Sequence, residues 1–213
     1  PGVRLPTDTE YPDLLAAVLN DINIAMLVPM RRGRGRSSGE YRESYVATLA
    51  EARRGISYAQ ESVERSLRFA ATHPAIDASR MVVGGQSRGG FLALWQGSMD
   101  PLGCKAVLAF APGWFGSQDH QPGRMINDTL FAEIASDLAI PAHVVYGRGD
   151  GFYAPAAVDR YVRCLQTSKV AVSTGVYPGD HFLYRDPGMS WAAAMRTFLT
   201  EVLALNNTVR PAA

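Results

Sequence analysis

Residues 80–95 read RMVVGGQSRGGFLALW, a short apolar run leading into Ser87, which has glycines on both sides, and then a second apolar run. Met81 to Gly84 has the length and composition of a buried strand, and the run after Ser87 reads as a helix. Gly85-Gln86-Ser87-Arg88-Gly89 therefore falls on a strand-to-helix turn. That setting gives a Gly-x-Ser-x-Gly motif its meaning, because a sharp turn holds the serine hydroxyl exposed on strained backbone. Gly85 and Gly89 are expected to remove side chains where strand and helix nearly touch.

Outward from this turn, strand-sized apolar runs alternate with helical periodicity. Thr7-x-x-Glu10 has capping-box spacing before a helix around Tyr11 to Asn20, and a strand is expected at Asn23 to Val28. Ile56, Ala59, Val63, Leu67 and Ala70 mark one face of a long helix that Pro74 stops at about His73. Further strands are expected at Ala106 to Ala111, Ala142 to Tyr146 and Val170 to Tyr177. Helices are expected at about Asn127 to Leu138, Ala154 to Gln166 and Trp191 to Leu205. Five strands with helices between them predict a three-layer α/β domain, a doubly wound and mostly parallel sheet spanning residues 1–213. Its longest irregular region, Gly113 to Met125, follows a strand end, where ligand-binding loops gather in such sheets.

Composition narrows the function. The chain has 213 residues, 47% of them hydrophobic, and a formal net charge of +1, which suits one globular core and argues against a nucleic-acid partner. The basic run Arg31 to Arg36 lacks interleaved aromatics and is expected to be a solvated loop. The longest apolar run, Ile24 to Met30, is far short of a membrane span, so no membrane partner is expected. Cys104 and Cys164 permit one disulfide or two buried thiols and do not fix the compartment. The chain starts at Pro1 without a signal segment, and its natural N-terminus is expected to lie upstream. Localisation is therefore not legible. No metal cluster or phosphate-cradling loop is visible, and no cofactor is expected.

A serine hydroxyl needs a base to act at neutral pH, and the base needs a carboxylate to orient it. Of four histidines, His181 follows the final strand in VYPGDHFLY, at the sheet edge toward which Ser87 points. His143 lies inside a strand and reads as a core residue; His73 ends a helix and reads as a surface residue. His120, in the long loop, is the reserve candidate. Asp150 follows the strand HVVYG one strand before His181 and is the best acid. Asp180, Asp186 and the helical Asp159 rank below it.

With these residues placed, the chain resembles the α/β-hydrolases, and among them the dienelactone-hydrolase-like and prolyl-oligopeptidase-like bacterial esterases. VPMRRGRGRSSG resembles a strand end and the turn after it, VVGGQSRGG the nucleophile elbow, VVYGRGDGFY the acid loop and YPGDHFLY the histidine loop. The resemblance implies Ser87 as nucleophile, Asp150 as acid and His181 as base, in the chain order serine, acid, histidine. It implies the backbone N–H of Arg88 as one oxyanion donor. The second donor and the first strands of the sheet are expected upstream of Pro1.

About thirty residues separate the strands ending at Ala111 and beginning at Ala142, too few for a large lid. The expected substrate is a small ester, lactone or amide, walled by Trp114, Phe115, Phe152 and Tyr153, with Arg88 or Arg148 as cations for a substrate carboxylate. A monomer or homodimer is expected. The leading activity is carboxylic ester hydrolysis; a peptidase or acyltransferase with the same triad, or a non-catalytic member of the fold, remains as an alternative.

Overall fold

The computed structural model describes residues 13–43, 48–116, 121–186 and 188–205. In chain order its elements are α1 (Asp13–Asn20), α2 (Leu49–Thr72), β1 (Val82–Gln86), α3 (Arg88–Met99), β2 (Ala106–Phe110), α4 (Gln121–Asp137), β3 (Ala142–Gly147), α5 (Pro155–Leu165), β4 (Val172–Tyr177) and α6 (Ala192–Val202). The four strands form one parallel sheet in the order β1-β2-β3-β4. Each crossover helix returns the chain to the next position, so α3, α4 and α5 lie together on one face with α2.

Strand side chains alternate between two apolar layers, as period-two geometry requires. Val107, Ala109 and Val144 join Phe91, Leu94, Phe131 and Tyr161 on the α2–α5 face. Leu108, Phe110 and Val145 join Val18, Trp191, Met195 and Leu199 from α1 and α6 on the other. Every residue of β2 and β3 is buried, which is why β2 reads as an unbroken apolar run and β3 as one interrupted only by His143. Full burial of each large side chain stabilises the fold by roughly 1.5–3 kcal/mol before entropy is counted.

Helix ends follow local chemistry. Thr48 caps α2 through the Glu51 N–H while the Glu51 carboxylate accepts from the Thr48 N–H, a complete capping box. The same helix stops at His73, before Pro74. The capping-box residues proposed before α1, Thr7 and Glu10, lie outside the described residues.

The sheet differs from expectation at one strand. Residues 24–30 pair with no strand among the described residues, so Asn23 to Val28 is not a strand there and the described sheet has four strands rather than five. Ile24 and Met26 still pack inward on the α1–α6 layer, whereas Leu27, Val28 and Met30 are exposed. Strand-like composition does not make a strand without a neighbour to bond. The other strands start or end within two residues of expectation. Helix α4 begins at Gln121, six residues earlier than its apolar periodicity suggests, and shortens the irregular region after β2.

Candidate active site

Ser87 stands between β1 and α3 with φ 55° and ψ −122°, a conformation that costs a non-glycine residue energy. Its N–H donates to the Phe110 carbonyl (2.8 Å), and its carbonyl accepts the Phe91 N–H (2.9 Å), so both neighbours hold the turn. The glycines work differently from expectation. A Cβ on Gly85 would overlap the Gly89 backbone, and one on Gly90 would stand 2.9 Å from the Gly85 carbonyl oxygen, whereas one on Gly89 would meet only the Arg31 guanidinium at 3.7 Å. Gly85 and Gly90 are thus the pair that lets α3 approach β1.

Asp150 and His181 follow β3 and β4 at the same end of the sheet. Nδ1 of His181 lies 2.8 Å from Oδ2 of Asp150, both residues being buried at 4% and 6% exposure. The other Asp150 oxygen accepts the N–H groups of Phe152 (2.7 Å) and Tyr153 (3.1 Å). A carboxylate facing Nδ1 fixes the proton there and leaves Nε2 as an acceptor. Gln86, the last residue of β1, donates to the His181 carbonyl at 3.0 Å and ties the histidine loop to the elbow. The imidazole packs against Phe152, Tyr153 and Phe182, with ring centroids 4.3, 5.5 and 5.3 Å away.

The reserve candidates are placed elsewhere. His143 is a core residue, bonded through Nδ1 to Ser173 Oγ (2.7 Å) and stacked on Phe198; burial lowers its pKa. His73 is exposed at the end of α2, and its Nδ1 accepts the Ala75 N–H. Asp180 and Asp186 accept local N–H groups from Phe182 and Gly188, and Asp159 sits on the solvated face of α5, 3.9 Å from Arg163. His120 lies outside the described residues.

Arg88 begins α3, and its N–H is at the helix N-terminus. Its side chain is committed to the scaffold: Nε donates to the Trp114 carbonyl (2.9 Å), and NH1 donates to Tyr41 Oη (2.8 Å) and to the Glu43 carbonyl. The guanidinium expected to meet a substrate carboxylate is therefore spent on two backbone carbonyls and the Tyr41 hydroxyl. Arg148 is exposed. Trp114, expected as a pocket wall, is wholly buried against Phe91, because its ring fills the space that Gly55 leaves on α2. Phe115, Phe152 and Tyr153 line a small recess with Arg124 and Asn127; Phe152 is 44% exposed.

The basic run is not a solvated loop. Arg31 grips the buried Glu43 through two bonds (2.7 and 2.9 Å), Arg34 binds the same carboxylate, and Arg32 pairs with Glu61 (2.6 Å) and lies over the Tyr58 ring. Burial pushes the Glu43 carboxyl up, but hydrogen bonds and charge from Arg31 and Arg34 bring it down to about 2. Glu43 was missed in the sequence. Two acids, Glu40 and Glu43, shortly after a run of arginines are the signal that would have found it. Cys104 and Cys164 are both free, and burial raises the Cys104 thiol to about 11. Among the described residues no three His, Cys, Asp or Glu side chains cluster as metal ligands, and no helix is long and apolar enough to cross a membrane.

Similarity to solved structures completes the picture. Est1E from Butyrivibrio proteoclasticus, solved with ferulic acid bound, superposes with a TM-score of 0.70 at 17% identity, over 94% of this chain and 86% of that one. The α/β hydrolase GrgF from Penicillium sp. sh18 gives 0.71 at 16% identity, over 96% and 88%. The chain has the α/β-hydrolase fold. Dipeptidyl peptidase 4 from Porphyromonas gingivalis shares the fold with a TM-score of 0.59 at 19% identity, over 80% of this chain but 26% of its own length. No protein-family model matches the chain, and no curated protein does. As in other α/β-hydrolase folds, the strand ends carry the candidate site.

Proposed function

We propose that the chain is a serine hydrolase cleaving a small carboxylic ester or lactone through an acyl-enzyme, with Ser87 as nucleophile, His181 as base and Asp150 as its orienting acid. The observation that carries this reading is the buried 2.8 Å contact between His181 Nδ1 and Asp150, made beside a serine held at φ 55°.

The chemistry follows from the tautomer. Ser87 passes its proton to His181 Nε2 as its oxygen attacks the substrate carbonyl, and Asp150 stabilises the resulting imidazolium. The N–H of Arg88 and the positive end of α3 face the oxyanion. Collapse of the tetrahedral species sends the proton from His181 to the leaving oxygen. Water, activated by the same imidazole, then hydrolyses the acyl-Ser87. The single helix between β2 and β3 and the small recess beside Phe115, Phe152 and Tyr153 favour a compact acyl or alcohol group.

A fluorophosphonate probe tests the reading. Covalent labelling of the wild type that vanishes in Ser87→Ala is expected; a folded wild type that resists the probe would sink the proposal. The peptidase fold neighbour makes amide cleavage the second reading. Turnover of p-nitrophenyl esters and lactones against aminoacyl amides separates the two.

A further inference from the structure

Two half-exposed phenylalanines flank the buried imidazole. The Phe152 ring centroid lies 4.3 Å from that of His181, and Phe182 meets the same ring edge-on at 5.3 Å. Their surroundings differ. Phe182 is covered by Arg185, whose guanidinium lies 5.1 Å over its ring. Phe152 instead borders the recess that also takes in Phe115, Tyr153 and Arg124. One exposed ring thus touches both the candidate base and the recess beside it.

The recess makes room for rings and holds them in place. A Cβ on Gly116 would stand 3.0 Å from Phe152 Cδ1, and one on Gly123 would overlap the ring of Phe115. Neither glycine has a positive φ that would require it, so the missing side chains leave space for the two phenylalanines. The buried Asn127 accepts the Phe115 N–H (3.0 Å) and donates to the Phe115 carbonyl (2.7 Å), while the Phe152 N–H is fixed on Asp150 Oδ1 (2.7 Å). Both walls are therefore set before a ligand arrives, which lowers the ordering cost of binding. Arg124 brings a cation to the same recess, and no carboxylate pairs with it among the described residues. A planar cation among aromatic side chains attracts the face of a further ring, and an alkyl chain gains nothing comparable from it.

Resting on the serine-hydrolase reading, we propose that Phe152 is a specificity-determining residue and that the substrate is an aryl-bearing ester or lactone, whose ring seats in the recess beside Phe152 and Phe115 while its carbonyl meets Ser87. The contact between Phe152 and His181 sets the seat next to the reacting carbonyl. Stacked or edge-on contact with the two phenylalanines and the Arg124 cation holds the ring there. The ring is bound alike before and during attack on the carbonyl, so the seat acts through KM and leaves the chemical step to the triad.

Benzyl acetate and methyl phenylacetate are isomers that carry a ring on the alcohol side and on the acyl side; ethyl acetate carries none. The wild type should cleave at least one ring ester with kcat/KM about 10-fold or more above that of ethyl acetate, and the favoured isomer tells which side of the ester the seat serves. Phe152→Ala should erase that ratio through KM. Arg124→Met, which keeps an unbranched side chain and loses the charge, should lower it about threefold. The ratio is the readout because loss of packing against His181 alone would slow all three esters alike. Equal wild-type turnover of the three esters, or a ratio unchanged in Phe152→Ala, overturns the ring seat and leaves the hydrolase reading standing; a wild type that neither labels with the fluorophosphonate nor cleaves any ester overturns both.

Discussion

Asp150 shows how much one side chain can decide. One oxygen faces the His181 ring and the other faces two backbone N–H groups, and each of these three partners donates. In Asp150→Asn, whichever way the amide turns, its NH2 meets a donor. The variant should fold but lose about 10³–10⁴ in kcat, because the imidazole no longer presents the accepting nitrogen to Ser87; steady-state turnover of an activated ester measures it. The placement of Ser87, Asp150 and His181 at one end of the sheet was legible in the sequence, since each sits just past an apolar run. The anchoring of Arg88 was not. Its partners Tyr41 and Glu43 lie 47 and 45 residues upstream, and no local spacing encodes such a contact.

Among the elements, α3 is closely packed on the sheet at Gly97. A Cβ on Gly97 would stand 2.8 Å from Val107 Cγ2 and 3.2 Å from Leu138 Cδ1, in the seam between helix, sheet and α4. Gly97→Ala should gain under about 1 kcal/mol of helix propensity and lose about 1–3 kcal/mol to overpacking. A lower denaturation midpoint, with normal labelling of the folded protein, is the expected outcome. Element identity was readable where apolar periodicity is long, as in α2, or where every residue is buried, as in β2 and β3. It failed at Asn23 to Val28, because strand-like composition does not reveal whether a bonding neighbour lies alongside. It also misplaced the start of α4, whose first turn lacks the apolar spacing that marks the rest.

Across the whole molecule, the charge network around Glu43 joins the basic run to α2 and, through Arg88, to the elbow. Glu43 releases its proton near its ordinary value when unfolded but only at about 2 when folded. Between those values the unfolded chain binds more protons, so stability rises with pH through the window and is lost as pH falls from about 4.5 toward 2. The loss attributable to Glu43 is about 3 kcal/mol, and Glu43→Gln should flatten that part of a stability profile taken by chemical denaturation.

Parallel strands also divide the protein into two ends. Ser87, Asp150 and His181 leave from the C-terminal ends of β1, β3 and β4, and strands of five or six residues place the opposite end about 17–20 Å away. The chain has two lysines, Lys105 just before β2 and Lys169 just before β4, both exposed at that opposite end. Coupling through their amines would tether the protein to a bead or an electrode by its back, with the serine facing the solution.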